Sequence, residues 1–219
     1  MVIILVQPRN PLAVRLGGML ALVAMGIGVS FIMVAMAFYP GFDIRIYSAS
    51  QLGSIESPLP LLFDAGLILA GIIAVPFFQA LFLALGRVST AKKSLVWARF
   101  FSFAACAGLS LCGVFSMDIP TRIPHFIFAG IFFLGGLLFC VCFGKAMHDS
   151  KRLPRFLAWT SFAVAGFFAL LFAIPTELVE WLVFFAIVSW VVENGLFLTI
   201  KGNSLDEERI KQNRVDLNR

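Results

Sequence analysis

Ser48, Ser50, Asp64, Asp118, His125 and Glu180 are the side chains of this sequence whose types could do chemistry together. A serine hydroxyl with a histidine and a carboxylate makes a nucleophilic set. Histidine and carboxylates also serve as general acid and base, and histidine titrates near neutral pH. The same groups could bind a cation. One histidine does not make a zinc site, however, and no ligand spacing here is diagnostic, so no metal is expected. No Walker, Rossmann, zincin or Cys-x-x-Cys motif occurs, and no cofactor is expected. A blander reading stands beside each residue. Asp43, Glu56 and Glu177 read as solvated loop charges. Asp118 and Arg122 read as an exposed pair of little net worth, and His125 as an interfacial residue at a helix start. No residue is assigned a catalytic role.

Glu193, in WVVENGLF, is a different signal. It lies inside an apolar run, where an ionised side chain is costly and turns toward a bundle interior, a cavity or a partner. It reads either as a hydrogen-bonded structural carboxylate or as a proton or substrate relay.

The elements that must position these groups are apolar helices. The chain of 219 residues is 60% hydrophobic and only 13% charged, with mean hydropathy +0.96. Soluble domains are nearer half apolar and a quarter charged, so lipid is the expected solvent. Leu16–Phe38 carries no charge over 23 residues, enough to cross a hydrocarbon core of ~30 Å. It exceeds a signal-peptide core and is expected to be retained as a first helix, after an interfacial turn or a frayed end at residues 1–6. Further spans are expected at about 61–85, 95–115, 125–146, 156–174 and 178–200. Pro76 falls mid-way in the second and should kink it. Ala104 and Gly108, four apart, permit close helix approach. The expected fold is all-α: a polytopic membrane bundle of six transmembrane helices over residues 1–202. Residues 203–219 form a polar tail, as a short soluble helix or without fixed structure. The tail contains a Ser204 helix start and a Glu207–Lys211 pair. Cys106, Cys112, Cys140 and Cys142 all lie within apolar runs and read as small packing residues.

One long polar stretch, Tyr39–Gly66, separates the first two spans and carries Asp43, Arg45, Tyr47, Ser48, Ser50, Gln51, Glu56 and Asp64. Of the 17 basic residues, all but Arg45 and Arg122 lie in the amino terminus, the second and fourth loops with their flanking helix ends, and the tail. That asymmetry predicts both termini in the cytoplasm. It also makes the net charge of +5 a topology and lipid-headgroup signal rather than a nucleic-acid footprint. The polar candidates then gather on the outer face.

The segment YSASQLGSIESPLPLLFDAGLILAGI resembles the first loop and second helix of an uncharacterised six-helix prokaryotic membrane family, domain of unknown function 998. Ser48, Ser50, Leu52, Gly53, Ser57, Pro58, Phe63 and Gly66 match its pattern, and Gly113, Phe115, Asp118 and His125 are similar to its third-loop residues. Gln51 stands where an acid is common, and Asp64 where asparagine is common. A more distant likeness is to DRAM-like six-helix membrane proteins. The resemblance implies a membrane fold and no particular reaction. The expected function is therefore an integral membrane protein, in a prokaryotic plasma membrane. It would bind lipid, a membrane-protein partner or a second copy through an outward polar cup. The alternatives are an enzyme acting on a lipid headgroup, or a small proton-coupled transporter using Asp64 and Glu193. No inverted repeat relates the two three-helix halves.

Overall fold

The computed structural model describes residues 11–118, 120–150 and 154–217, with side chains from 12 to 201 apart from 87 and 88. The expected turn or frayed end at residues 1–6, Arg9, the loop cations Lys151 and Arg152, and Arg219 lie outside the described residues. So do the side chains of Ser204, Glu207 and Lys211.

Six long helices follow one another: α1 (Pro11–Phe38), α2 (Pro60–Val88), α3 (Lys92–Val114), α4 (Arg122–His148), α5 (Arg155–Ala173) and α6 (Glu177–Leu217). Each is long and apolar enough to cross a membrane. α1, α3 and α4 begin three to five residues before the expected apolar runs and the others one residue before, because the helical backbone continues through interfacial charges such as Lys92 and Arg122 that hydropathy assigns to loops. α6 continues as one helix far past Ile200. α2 runs through Pro76 as one helix, with the Pro76 carbonyl turned toward Gly17 of α1.

Each helix packs on its neighbours in sequence, and α6 returns to α1, so the six close into a ring. The short connections make neighbours antiparallel. Hydrogen bonds identify the two ends. At one end, the Ile55 N–H donates to Asp118 Oδ1 (2.7 Å) and joins the first loop to the third. At the other, the Ser89 hydroxyl donates to the Ala146 carbonyl (2.8 Å) and joins the second to the end of α4. Between 22% and 39% of each span is buried within the protein. The remaining outward faces carry Ile72, Phe100, Phe126, Phe172 and Phe185, so these spans are solvated by lipid.

Backbones approach closely where glycine permits it. A Cβ on Gly108 would lie 2.7 Å from the Phe132 nitrogen and 2.8 Å from the Phe128 carbonyl of α4. Gly108 is thus the member of the expected Ala104/Gly108 pair that seats α3 on α4. On the far side of the ring, a Cβ on Gly18 would meet the Gly195 carbonyl at 2.7 Å, which closes α1 on α6.

The interior is filled unevenly. In the half toward Ser89 and Ala146, Trp190 stands among Phe77, Phe78, Phe139 and Phe143, with centroids 5.4 Å from Phe139 and 5.6 Å from Phe143. Its indole N–H donates to the buried Ser161 hydroxyl (2.8 Å). The four cysteines are free, and Cys106, Cys112 and Cys140 are buried as packing residues. In the other half, Ile32, Ala35, Leu52, Phe63 and Trp181 pack together beside a cavity, and the first loop closes over it.

Candidate functional site

The first loop forms a structured lid. Pro40–Gly41 ends α1, and Gly41 takes φ 72°, a left-handed turn that glycine adopts at no steric cost. Asp43 and Arg45 then pair with each other. The guanidinium donates to both carboxylate oxygens, at 2.6–3.1 Å, and holds the Asp43 carboxyl down to about 2. Asp43 is therefore a turn-forming residue and not a reserve of protons. Tyr39, Phe42 and Tyr47 form a cluster with centroids 5.3–5.5 Å apart, in which Phe42 stacks on Tyr47 and Tyr39 meets Phe42 edge-on. Trp181 of α6 meets Phe42 edge-on (6.0 Å), and its indole N–H donates to the Tyr47 carbonyl (2.9 Å). A short 3-10 helix, Ala49–Gly53, follows. The Ser48 N–H at its start donates to Gln51 Oε1 (2.7 Å). Leu52, apolar in a polar loop, is completely buried and plugs the mouth of the ring.

Beneath this lid lies a cavity of about 120 Å³, bounded by α1, α2, α3, α4, α6 and the 3-10 helix. Its walls are apolar, with residues such as Val29, Leu67, Phe132 and Ile187. Gly28 lies on the α1 wall, where an added Cβ would find only the Ala70 Cβ, at 3.8 Å. Polar groups enter only under the lid, from Ser50, His125 and Glu180, beside the thiol of Cys112.

His125 and Glu180 are held there by different elements. His125 is 2% exposed. Its Nδ1 lies 2.8 Å from the Phe115 carbonyl and 3.2 Å from the Cys112 carbonyl, at the frayed end of α3. Only an N–H can serve two carbonyls, which assigns a hydrogen to Nδ1; in that tautomer of the imidazole Nε2 carries the lone pair. Nε2 is buried and has no hydrogen-bond partner. Glu180, one turn into α6, accepts from both the Ser50 N–H (3.3 Å) and the Ser50 hydroxyl (3.4 Å). The polar end of the cavity is thus rich in acceptors: an imidazole lone pair and a carboxylate, with a serine hydroxyl beside them.

The remaining candidates lie elsewhere. Ser48 is the N-cap residue of the 3-10 helix. Asp118 faces an outer groove with Gln51, Glu56 and Arg122. There it accepts from the Ile55 N–H and from the Ser116 hydroxyl (3.0 Å). Asp64 is buried behind Gly53, with Oδ1 unpartnered. Glu193 lies deeper in the ring, where it accepts from the Thr160 hydroxyl of α5 (3.2 Å). The structure therefore joins Ser50, His125 and Glu180 at one cavity and separates them from Asp118, Asp64 and Glu193. His125 is oriented by carbonyls and Ser50 donates to Glu180, so these three do not form a relay ending in an aspartate. Among the described residues, no three His, Cys, Asp or Glu side chains assemble as a metal-ligand group. Sequence reasoning missed Trp181 and Leu52, which hold the lid. Their signals were a tryptophan one turn into a span and a leucine amid polar residues of the first loop.

Asp118→Ala removes the acceptor that ties the first loop to the third. The buried face of the lid keeps its own contacts, so the expected loss is modest, about 1–2 kcal/mol. Hydrogen exchange at Ile55 is expected to quicken several-fold while Leu52 stays protected. Unchanged exchange at Ile55 would contradict this assignment.

Residues 22–194 match the family model described as Protein of unknown function (DUF998). The chain belongs to this family. The match takes in every group that lines the cavity and most of all six spans. Comparison with curated proteins and with solved structures found no match. Membership in DUF998 carries a six-helix membrane fold and leaves the activity to be argued from the site.

Proposed function

We propose that this DUF998 protein binds a membrane amphiphile by its apolar end, in the cavity under the first loop. The observation that carries this reading is the distribution of polarity: apolar walls from five helices, with hydrogen-bonding groups only beneath the lid. Such a gradient matches a molecule with one polar and one greasy end. Size limits what enters. An apolar cavity of about 150 Å³ takes up benzene, so about 120 Å³ accommodates a segment of roughly six carbons and not a whole phospholipid. The Ser50–Glu180 and Ile55–Asp118 bonds help to hold the lid over the cavity.

Gly28→Leu tests the reading. The leucine side chain would occupy the cavity from a position where its Cβ meets no backbone. An amphiphile bound at a hundred times its Kd stabilises the folded protein by ~2.7 kcal/mol. That raises the Tm of a protein of this size by roughly 5–10 °C. Added monooctanoylglycerol is expected to raise the Tm of the wild-type protein by this order and to leave Gly28→Leu unshifted. Equal shifts in both proteins would place the amphiphile outside the cavity.

We infer further that both termini face the cytoplasm and that the lid faces outward, from the basic residues gathered around Lys92, Lys93 and Lys145. Impermeant maleimide added to intact cells should label Ile55→Cys and spare Lys93→Cys. The reverse pattern would invert the protein.

A further inference from the structure

The cavity's polar end offers acceptors in excess of donors, and this bears on the head of the ligand. Resting on the amphiphile reading above, we propose that the head is an uncharged hydrogen-bond donor, a hydroxyl, and that the site excludes phosphate-headed lipids. His125 carries the argument. Its ring is buried and lines the cavity, Nδ1 is committed to the Phe115 and Cys112 carbonyls, and Nε2 has no partner. A buried nitrogen lone pair without a donor costs free energy, and a ligand O–H aimed at it recovers that cost. Glu180 adds a second acceptor, whose present donors from Ser50 are long, at 3.3 and 3.4 Å. A ligand hydroxyl in this position can donate to Nε2 or to the Glu180 carboxylate. Its own oxygen can accept from the Ser50 hydroxyl, which would turn from Glu180.

The same groups disfavour an anion. A phosphate has acceptor oxygens and negative charge. No arginine or lysine lines the cavity. Arg45 is engaged with Asp43, and Arg122 faces the outer groove. Placing a phosphate there would set its acceptor oxygens against the Glu180 oxygens, which accept from Ser50, in a poorly hydrated space with few donors. The cationic groups that commonly receive phosphate are absent from the cavity lining. The ligand class is therefore a single-chain or neutral glycerolipid, or another long-chain alcohol, presenting its hydroxyl to His125 and Glu180 and about six carbons to the walls.

Binding of monooctanoylglycerol and of octyl phosphate to the full chain in nanodiscs tests this, with empty nanodiscs as the partition background. The chains are matched, so the heads decide. The wild-type protein is expected to bind the glyceride at least tenfold more tightly than the phosphate. His125→Asn keeps a side-chain N–H for the Phe115 carbonyl while removing the free ring nitrogen, so the fold is retained. It should weaken glyceride binding about tenfold. Glu180→Gln keeps the shape and puts an N–H donor in place of an acceptor oxygen, and should narrow the preference by strengthening octyl phosphate. Equal affinity of the wild-type protein for both heads, sensitive in each case to Gly28→Leu, would overturn the headgroup assignment and leave the cavity reading intact. Binding of neither ligand above background would overturn both.

Discussion

Trp181→Ala is expected to release the lid and to cost about 3 kcal/mol of stability. Trp181 is 1% exposed and joins α6 to the first loop in two ways. Its ring packs on Phe42, and its N–H serves the Tyr47 carbonyl. Alanine removes both, leaving a void against Phe184 and Phe185 and a buried carbonyl without its donor. Such losses add to one another because the loop has few other anchors: Leu52, the Ser50–Glu180 bonds and the Ile55–Asp118 bond. Limited proteolysis between Tyr47 and Ile55 should become fast in the variant while the six spans stay intact. Trp181→Phe, which keeps an aromatic ring but loses the indole N–H and part of the ring volume, should lie between the two. A variant with wild-type protease resistance would show that the loop is held by something other than this tryptophan.

Trp190→Ala should cost a similar amount, by a different route and with a different readout. Lipid tails are as apolar as the protein interior, so transfer out of water contributes little to helix association here. What remains is packing: a void opened at the centre of Phe77, Phe78, Phe139 and Phe143. Loss of these contacts is worth ~3 kcal/mol, with a further ~1 kcal/mol for the Ser161 bond. The damage lies in the half of the ring away from the lid. The Tm in detergent should fall steeply while protease resistance of the first loop persists at low temperature. Trp190→Phe should recover most of the loss. A small effect of Trp190→Ala on Tm would mean that the filled half of the ring contributes little to holding the helices together.

The contrast between these two tryptophans shows what could be read before the structure. The six spans were legible because charge-free runs such as Leu16–Phe38 have one physical explanation in a chain this apolar. Their ends were less so, since Lys92 and Arg122 are helical although they are not hydrophobic. Among the candidate residues, Ser50, His125 and Glu180 meet because α4 and α6 begin at the same end of the ring and the 3-10 helix packs against α6 there. Nothing in their spacing of 55 to 130 positions encodes that. Asp118 and Asp64 had the same apparent standing in sequence, yet one tethers the loop from outside and the other is buried behind Gly53. The plug formed by Leu52 was unreadable for a related reason. A leucine amid polar residues acquires meaning only when a ring of helices leaves its mouth open.

The most direct test of the proposed cavity ligand is to identify what the protein carries out of its own membrane. Wild-type protein and Gly28→Leu, purified side by side in mild detergent, would be compared by native mass spectrometry with lipid fragmentation. The expected result is about one neutral, hydroxyl-bearing amphiphile per chain on the wild-type protein and its absence from the variant. Identical lipid profiles on the two proteins would contradict an occupied cavity beneath the first loop.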